Sequence, residues 1–377
     1  VRLSRYCAAS FIVDGAFYVL WTVIPFLAHR LGADPFQTGL LTVVTGVTYT
    51  VVSIFSGWLA DRVSRLLLCR AGGVLIATGM VLVSRAQSLQ ELFFAAPVAS
   101  MGTAAFWPAL QAAIGREAGP AKLARALGSF NVSWSAGKAL GFLIGGLALK
   151  AYGPSITLLG SAASVGLTLA LLPWRDLVDG AAPVMEPEAD RPSAFLRAAW
   201  IGNFAAYGMG NLINLHYPKY LVTEIRVEAP EHLFGYVACA IFAGQTLAFA
   251  ILLVSTFWTY RWMPIFSMMG IMAACMTVLP MADGLGAMLA IAFPIGLSLG
   301  VGYATSIYYS LHGPRYQGIK VGVHEAIIGS SGVVLPALGG LLARELNDLR
   351  WPYWLGALTV LAALGGQLLC RRTNAAR

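Results

Sequence analysis

Apolar runs of about twenty residues recur from Cys7 almost to Cys370, divided by short stretches of glycine, proline and charge. A helix of that length crosses the hydrocarbon layer of a bilayer, so a chain built of such runs is expected to lie largely in lipid. Charged residues make up only 11% of the sequence, whereas a soluble domain carries about 25%. One large water-soluble core is therefore excluded, and the expected class is an all-α integral membrane protein. The first run, 7–28, is too long for the apolar part of a signal peptide and lacks a following A-x-A site, so it reads as a first spanning helix.

Punctuation divides the chain into twelve transmembrane helices. Six fall at 7–28, 37–60, 66–84, 92–114, 126–149 and 155–173, and six more at 195–222, 233–256, 262–281, 285–311, 321–343 and 353–370. Between the sets lies a polar, proline-containing stretch with Asp176, Asp179, Glu186, Glu188 and Asp190, the composition of a linker. The expected organisation is a six-helix bundle over 1–174, a cytoplasmic linker over 175–194 and a second six-helix bundle over 195–377.

The formal net charge of +8 is not gathered into one basic patch, so it argues for no nucleic-acid partner. It reports topology instead. Of the 25 Lys and Arg residues, Arg30, Arg85, Lys150, Lys219, Arg226, Arg344 and Arg350 fall on one side, Lys138 sits inside span five, and the rest share a side with both termini. By the positive-inside rule that side is cytoplasmic, and the expected location is a prokaryotic inner (plasma) membrane. The five cysteines have no CxxC pair or zinc spacing and read as small packing residues.

The halves look like repeats. Gly141-Phe142-Leu143-Ile144-Gly145-Gly146 of span five stands opposite Leu335-Pro336-Ala337-Leu338-Gly339-Gly340 of span eleven at an offset of 194, which also sets Gly128 against Gly322. Repeated six-helix halves are a transporter architecture. Gly-Gly pairs that only mark close helix packing would produce the same pattern, and both readings stay open.

Between spans two and three the chain reads Gly57-Trp58-Leu59-Ala60-Asp61-Arg62-Val63-Ser64-Arg65. Here it resembles the major facilitator superfamily, whose signature in this loop is G-x-L-a-D-r-x-g-r-[kr]. Gly57, Leu59, Ala60, Asp61, Arg62 and Arg65 match; Ser64 replaces the second glycine and Leu66 the last basic residue. The resemblance implies two pseudo-symmetric six-helix bundles and a cytoplasmic gate in which Gly57, Asp61, Arg62 and Arg65 take part, Asp61 meeting the start of span eleven near Lys320 to Glu325. Two further family patterns are weak. Phe142 stands where the antiporter motif of span five has proline, and span four lacks the arginine common in proton-coupled members.

The resemblance also implies that spans one, four, seven and ten line a central cavity. Polar residues recur there at helical spacing: Asp14, Tyr18, Trp21 and Thr22; Ser100, Thr103, Trp107 and Gln111; Asn203, Tyr207, Asn211 and Asn214; Ser298, Thr305 and Tyr309. Amides in lipid are costly unless paired, so these faces should look inward. Such walls suit a small organic solute that is polar but largely uncharged, or amphipathic.

Asp14, Lys138 and Glu325 are ionisable residues at membrane depth, where an insertion cost of about 2.5–3.5 kcal/mol calls for a partner or a role. Asp14 and Lys138 could pair within the first half. Glu325, beside His324, reads either as a coupling group or as a partner of the gate. The expected function is secondary active transport by alternating access, with membrane lipid around the chain and protons as a candidate coupling ion. No enzyme, catalytic residue, cofactor or metal is expected: GxxxxGK[ST] and HExxH are absent and the five histidines are scattered. A monomer is expected. The alternative is a non-transporting sensor or assembly subunit that retains the fold.

Overall fold

The computed structural model describes residues 2–60, 62–118, 122–173, 193–311 and 317–375. Asp61 and nearly all of the expected linker lie outside the described residues. The elements are α1 (Arg2–Arg30), α2 (Pro35–Ala60), α3 (Arg65–Arg85), α4 (Leu89–Ala118), α5 (Leu123–Leu171), α6 (Ser193–Tyr220), α7 (Pro230–Val254), α8 (Trp262–Val278), α9 (Gly284–Leu311), α10 (Gln317–Glu345) and α11 (Trp351–Ala375). No strand occurs among the described residues.

Among the described residues eleven helices make twelve crossings because α5 reverses on itself. Gly153 has φ 75° and ψ 174°, a backbone conformation open essentially to glycine alone. Pro154 follows, which suits the first position of a new helix because it has no N–H to leave unpaired. The part after the turn runs antiparallel to α3: Ser155 Oγ donates to Ser84 O (2.9 Å) at one end, and Arg70 Nη2 donates to Leu172 O (3.1 Å) and Pro173 O (2.8 Å) at the other. Arg70 thereby satisfies carbonyls that the end of a helix leaves free, where a cation is also favoured by the helix dipole.

Ten of the described helices are long and apolar enough to cross a membrane, and α6 is not one of them. Its Asn203, Asn211, Asn214 and His216 lower its apolarity, yet most of its length is buried. It is surrounded by α1, α2, α7, α8, α9, α10 and α11, so its polar groups meet protein rather than lipid.

Elements α1 to α5 pack on one another, α6 to α11 do the same, and two principal seams join the sets, α5 against α7 and α2 against α10. Twelve crossings return the chain to the face where it began, here the terminal face; the other is the distal face. The Gly-Gly pairs show how the repeat works. A Cβ on Gly146 would collide with the backbone of Glu231 and Gly235 of α7, and one on Gly340 with the backbone of Pro35 of α2. Their neighbours face their own half: Gly145 meets Val19 and Thr22 of α1, and Gly339 meets Leu212 of α6. In each half, the first glycine admits the half's own first helix and the second admits the other half.

The repeat is inexact at its first position. Gly141 lies against the backbone of Gly15, whereas its counterpart Leu335 lays its side chain over Gly208. Space created by two small residues in one half is filled by a large one in the other.

Distal contacts fasten the two sets together. Arg30 Nη2 donates to Glu231 Oε1 at 2.9 Å, with Glu231 buried; Lys219 Nζ donates to Ala33 O at 2.7 Å; and the Arg344 guanidinium lies 4.7 Å from the centre of the Phe36 ring.

Candidate functional site

Close approach of α1 and α5 sets up the centre of the molecule. Cβ atoms on Gly137 and Gly141 would strike the backbone of Phe11 and Gly15, so the two helices touch backbone to backbone, as small residues permit. Lys138, next to Gly137, is thereby carried under Tyr18. Its Nζ lies 4.0 Å from the centre of the Tyr18 ring and 4.0 Å from that of Phe242 on α7. Phe142 stacks on Phe242 at 5.1 Å with planes 8° apart and lies 5.1 Å from Tyr18. The ammonium is thus held by rings from both halves, contacts worth about 2 kcal/mol when desolvated.

Two adjoining cavities open around this cluster. The larger, 240 Å³, is walled by Asp14, Phe17, Tyr18 and Trp21 of α1, by Thr42, Thr45, Gly46 and Tyr49 of α2, and by Ser100, Thr103 and Trp107 of α4. Across from them stand Asn211, Asn214 and Leu215 of α6 and Glu325, Ile328, Gly329 and Gly332 of α10. The smaller, 130 Å³, adds Gln111, Tyr207, Tyr303 and one face of α5, formed by Phe130, Trp134 and Lys138 at intervals of one helical turn. Asp14, Tyr18, Tyr49, Trp107, Glu325 and Ile328 line both.

The structure thus brings Asp14, Tyr18, Trp21, Thr103, Trp107, Gln111, Tyr207, Asn211, Asn214, Lys138 and Glu325 onto one pair of cavities. Asp14 is buried and its Oδ2 has no hydrogen-bond partner. Among the described residues Asp14 and Lys138 form no ion pair, the Lys138 amine being turned onto the rings. Tyr207 accepts from Gln245 Nε2 at 3.3 Å and packs on Tyr303.

Asn203, Thr305 and Tyr309 lie elsewhere. Asn203 is fully buried behind the wall, with Nδ2 3.4 Å from His324 Nδ1, and Ser306 Oγ is 2.7 Å from the same ring nitrogen. Thr305 donates to Val301 O within α9 at 2.7 Å. Tyr309 accepts from the backbone N–H of Tyr260 at 2.8 Å and packs with Phe195, near the terminal face. Periodicity places a residue on a helical face, but successive turns of one face reach different depths and different neighbours.

Of the loop motif, Gly57 lies in α2, Arg62 is exposed, and Arg65 begins α3 and donates from Nη1 to Ala112 O of α4 at 3.2 Å. Ser64, the departure from the signature, is the N-cap of α3: its Oγ accepts from Leu67 N at 3.2 Å. A hydroxyl here satisfies a helix-start N–H that glycine would leave open.

Sequence reading overlooked the contribution of α2 and α10. Thr42, Thr45 and Tyr49 follow the same helical spacing as the stripes that were singled out, and Trp134 and Tyr303 complete an aromatic wall at 5.7 Å from one another. The signal was present in α2, but nothing local says that this helix turns that face to the cavity. Among the described residues, no three His, Cys, Asp or Glu side chains gather as a metal ion would need.

A family model described as Major Facilitator Superfamily matches residues 6–319. Two MFS-type transporters of Mycobacterium tuberculosis, from strains CDC 1551 / Oshkosh and ATCC 25618 / H37Rv, are each 33% identical over 159 residues, which is 42% of this chain and 38% of theirs. Among solved structures, a bacterial homologue of the human lysosomal transporter Spinster, in an inward-facing and occupied conformation, superposes with a TM-score of 0.78 at 16% identity, covering 98% of this chain and 96% of that one. A variant of the nucleoside transporter NupG gives 0.75 at 12% identity, covering 98% and 100%. At such identities the structural likeness speaks for the fold. The family match spans most of the chain and agrees with the twelve crossings, so the chain belongs to the Major Facilitator Superfamily of membrane transporters.

Proposed function

We propose that the chain moves a small polar or amphipathic organic solute across a prokaryotic inner membrane by alternating access. The two rocking units are 1–174 and 195–377, joined by a cytoplasmic linker over 175–194, and the terminal face is cytoplasmic. The observation that carries this reading is the 240 Å³ cavity, whose walls come from α1, α2 and α4 on one side and α6 and α10 on the other. A solute held there touches both units and responds to their relative motion. The distal contacts of Arg30 with Glu231 and of Gly340 with Pro35 support a resting state closed on that face.

Asp14 is the proposed coupling group. It lines both cavities, is buried, and has a carboxylate oxygen without a partner. A carboxylate so placed is costly to keep charged unless solute, proton or Lys138 offsets it.

A thermal-shift screen against sugars, amino acids, nucleosides and organic amines selects a solute, which is then followed in proteoliposomes under an imposed pH gradient. Flux above that of empty liposomes, lost in Asn211→Ala, is the expected result; flux no faster than the background sinks the proposal. Asp14→Asn should abolish accumulation driven by the gradient while leaving binding measurable. Full accumulation by that variant removes Asp14 from the coupling step.

A further inference from the structure

Resting on the transport reading above, we infer that the larger cavity recognises an organic cation: a protonated amine joined to an aromatic or apolar body. Three independent features of its wall point the same way.

The first is charge. Asp14 on α1 and Glu325 on α10 approach from opposite halves, and among the described residues no Lys, Arg or His lines this cavity. Lys138 belongs to the adjoining cavity, where Tyr18 and Phe242 already engage its ammonium. An anionic solute in the larger cavity would face Asp14 and Glu325 with no basic side chain among the described lining residues.

The second is the balance of hydrogen bonding. Thr42, Thr45 and Thr103 donate their hydroxyl protons to Gly39, Leu41 and Ser100 carbonyls of their own helices, at 2.7, 2.8 and 2.9 Å. A hydroxyl that has given its proton away has only lone pairs left to offer. Asp14 and Asn214 are 4% and 7% exposed, and both line the cavity. Each also has an oxygen, Oδ2 and Oδ1 respectively, that accepts nothing. Buried acceptors left unpaired are unfavourable, and an ammonium, with several N–H groups and no acceptor, complements the threonine oxygens and the Asp14 and Glu325 carboxyl groups of this wall.

The third is the aromatic lining. Phe17, Tyr18, Trp21, Tyr49 and Trp107 surround the same space. Ring faces attract cations and their area accommodates an apolar body. The adjoining cavity offers an internal precedent, since the Lys138 amine lies over the rings of Tyr18 and Phe242.

The test uses three probes that share an indole and a short chain and differ in charge: tryptamine, tryptophol and indole-3-propionate. They are titrated calorimetrically into the full chain in nanodiscs. Tryptamine should bind about tenfold or more tighter than tryptophol, the scale of one charge-assisted hydrogen bond, with indole-3-propionate weakest. Glu325→Gln and Asp14→Asn should each bring the ratio of tryptamine to tryptophol affinity down towards one. Two carboxylates are tested so that failure of one variant to fold does not decide the matter, and a melting curve accompanies each. Equal affinity for the three probes, tighter binding of indole-3-propionate, or no binding of any probe by a chain that transports another solute overturns the cation assignment alone. Binding of tryptamine with the expected variant pattern but no flux of any solute overturns the transport reading and leaves the cation site standing.

Discussion

Replacing Gly146 with alanine should shift the balance between the two faces, whereas the same change one residue earlier should not. A Cβ on Gly146 meets Glu231 O and lies 2.9 Å from Gly235 Cα. These are backbone atoms of the facing helix, so no rotamer change relieves the contact and α5 must move away from α7. Overpacking of this kind costs about 1–3 kcal/mol. If the units rock, that penalty falls only on the state closed at the distal face, and a bias of about 1–3 kcal/mol moves a two-state equilibrium by about 5- to 150-fold. Gly145→Ala instead drives its Cβ to within 2.7 Å of Thr22 Oγ1 and 3.2 Å of Val19 Cα, both inside the first half. Its penalty is present in either state and appears as lost stability. Spin labels on Tyr152→Cys and Glu228→Cys, both at exposed distal positions, in a background without the five native cysteines, report the distal separation by pulsed dipolar spectroscopy. Gly146→Ala should lengthen the distance distribution, and Gly340→Ala, its counterpart on the second seam, should do the same. Gly145→Ala should lower the melting temperature with the distribution unchanged. Identical distance shifts for Gly145→Ala and Gly146→Ala, or none for Gly146→Ala, would refute the division of labour between the paired glycines.

Two further outcomes follow from the same geometry. Arg30→Ala should lower thermal stability by about 1–3 kcal/mol and by more than Glu231→Gln, because it leaves the buried Glu231 carboxylate without its partner while the amide of the second variant carries no charge; melting curves that reverse this order contradict the assignment. Asn203→Ala should lower stability by about 1–2 kcal/mol with solute affinity retained, since Asn203 supports His324 behind the wall. Asn214→Ala should do the opposite, and calorimetry and melting on the same preparations would expose an inverted pattern.

The hydrophobic record was legible because partition into lipid is a local property of each segment. It carried the twelve crossings, including the break before Pro154, and the loop from Gly57 to Arg65 carried the family. It did not carry the reversal geometry at Gly153, the capping role of Ser64, or the neighbours that bury α6, the polar helix expected over 195–222. The polar stripes were visible as stripes, yet only part of each reached the cavity. Asn211 and Asn214 line it while Asn203, on the same helix, supports its outer side.

From the sequence alone come the membrane-embedded all-α class, the repeat with an offset of 194 and the residues able to carry charge in lipid. Each depends on composition or spacing along one helix. The tertiary structure decided which stripes share one cavity, that α2 and α10 each contribute four residues to the larger cavity's wall, and that Lys138 turns to two aromatic rings rather than to Asp14. Those outcomes depend on how far each helix is rotated about its own axis and how closely its neighbour approaches. Here both are governed by contacts between residues far apart in the chain, Gly137 with Phe11, Gly146 with Gly235 and Gly340 with Pro35.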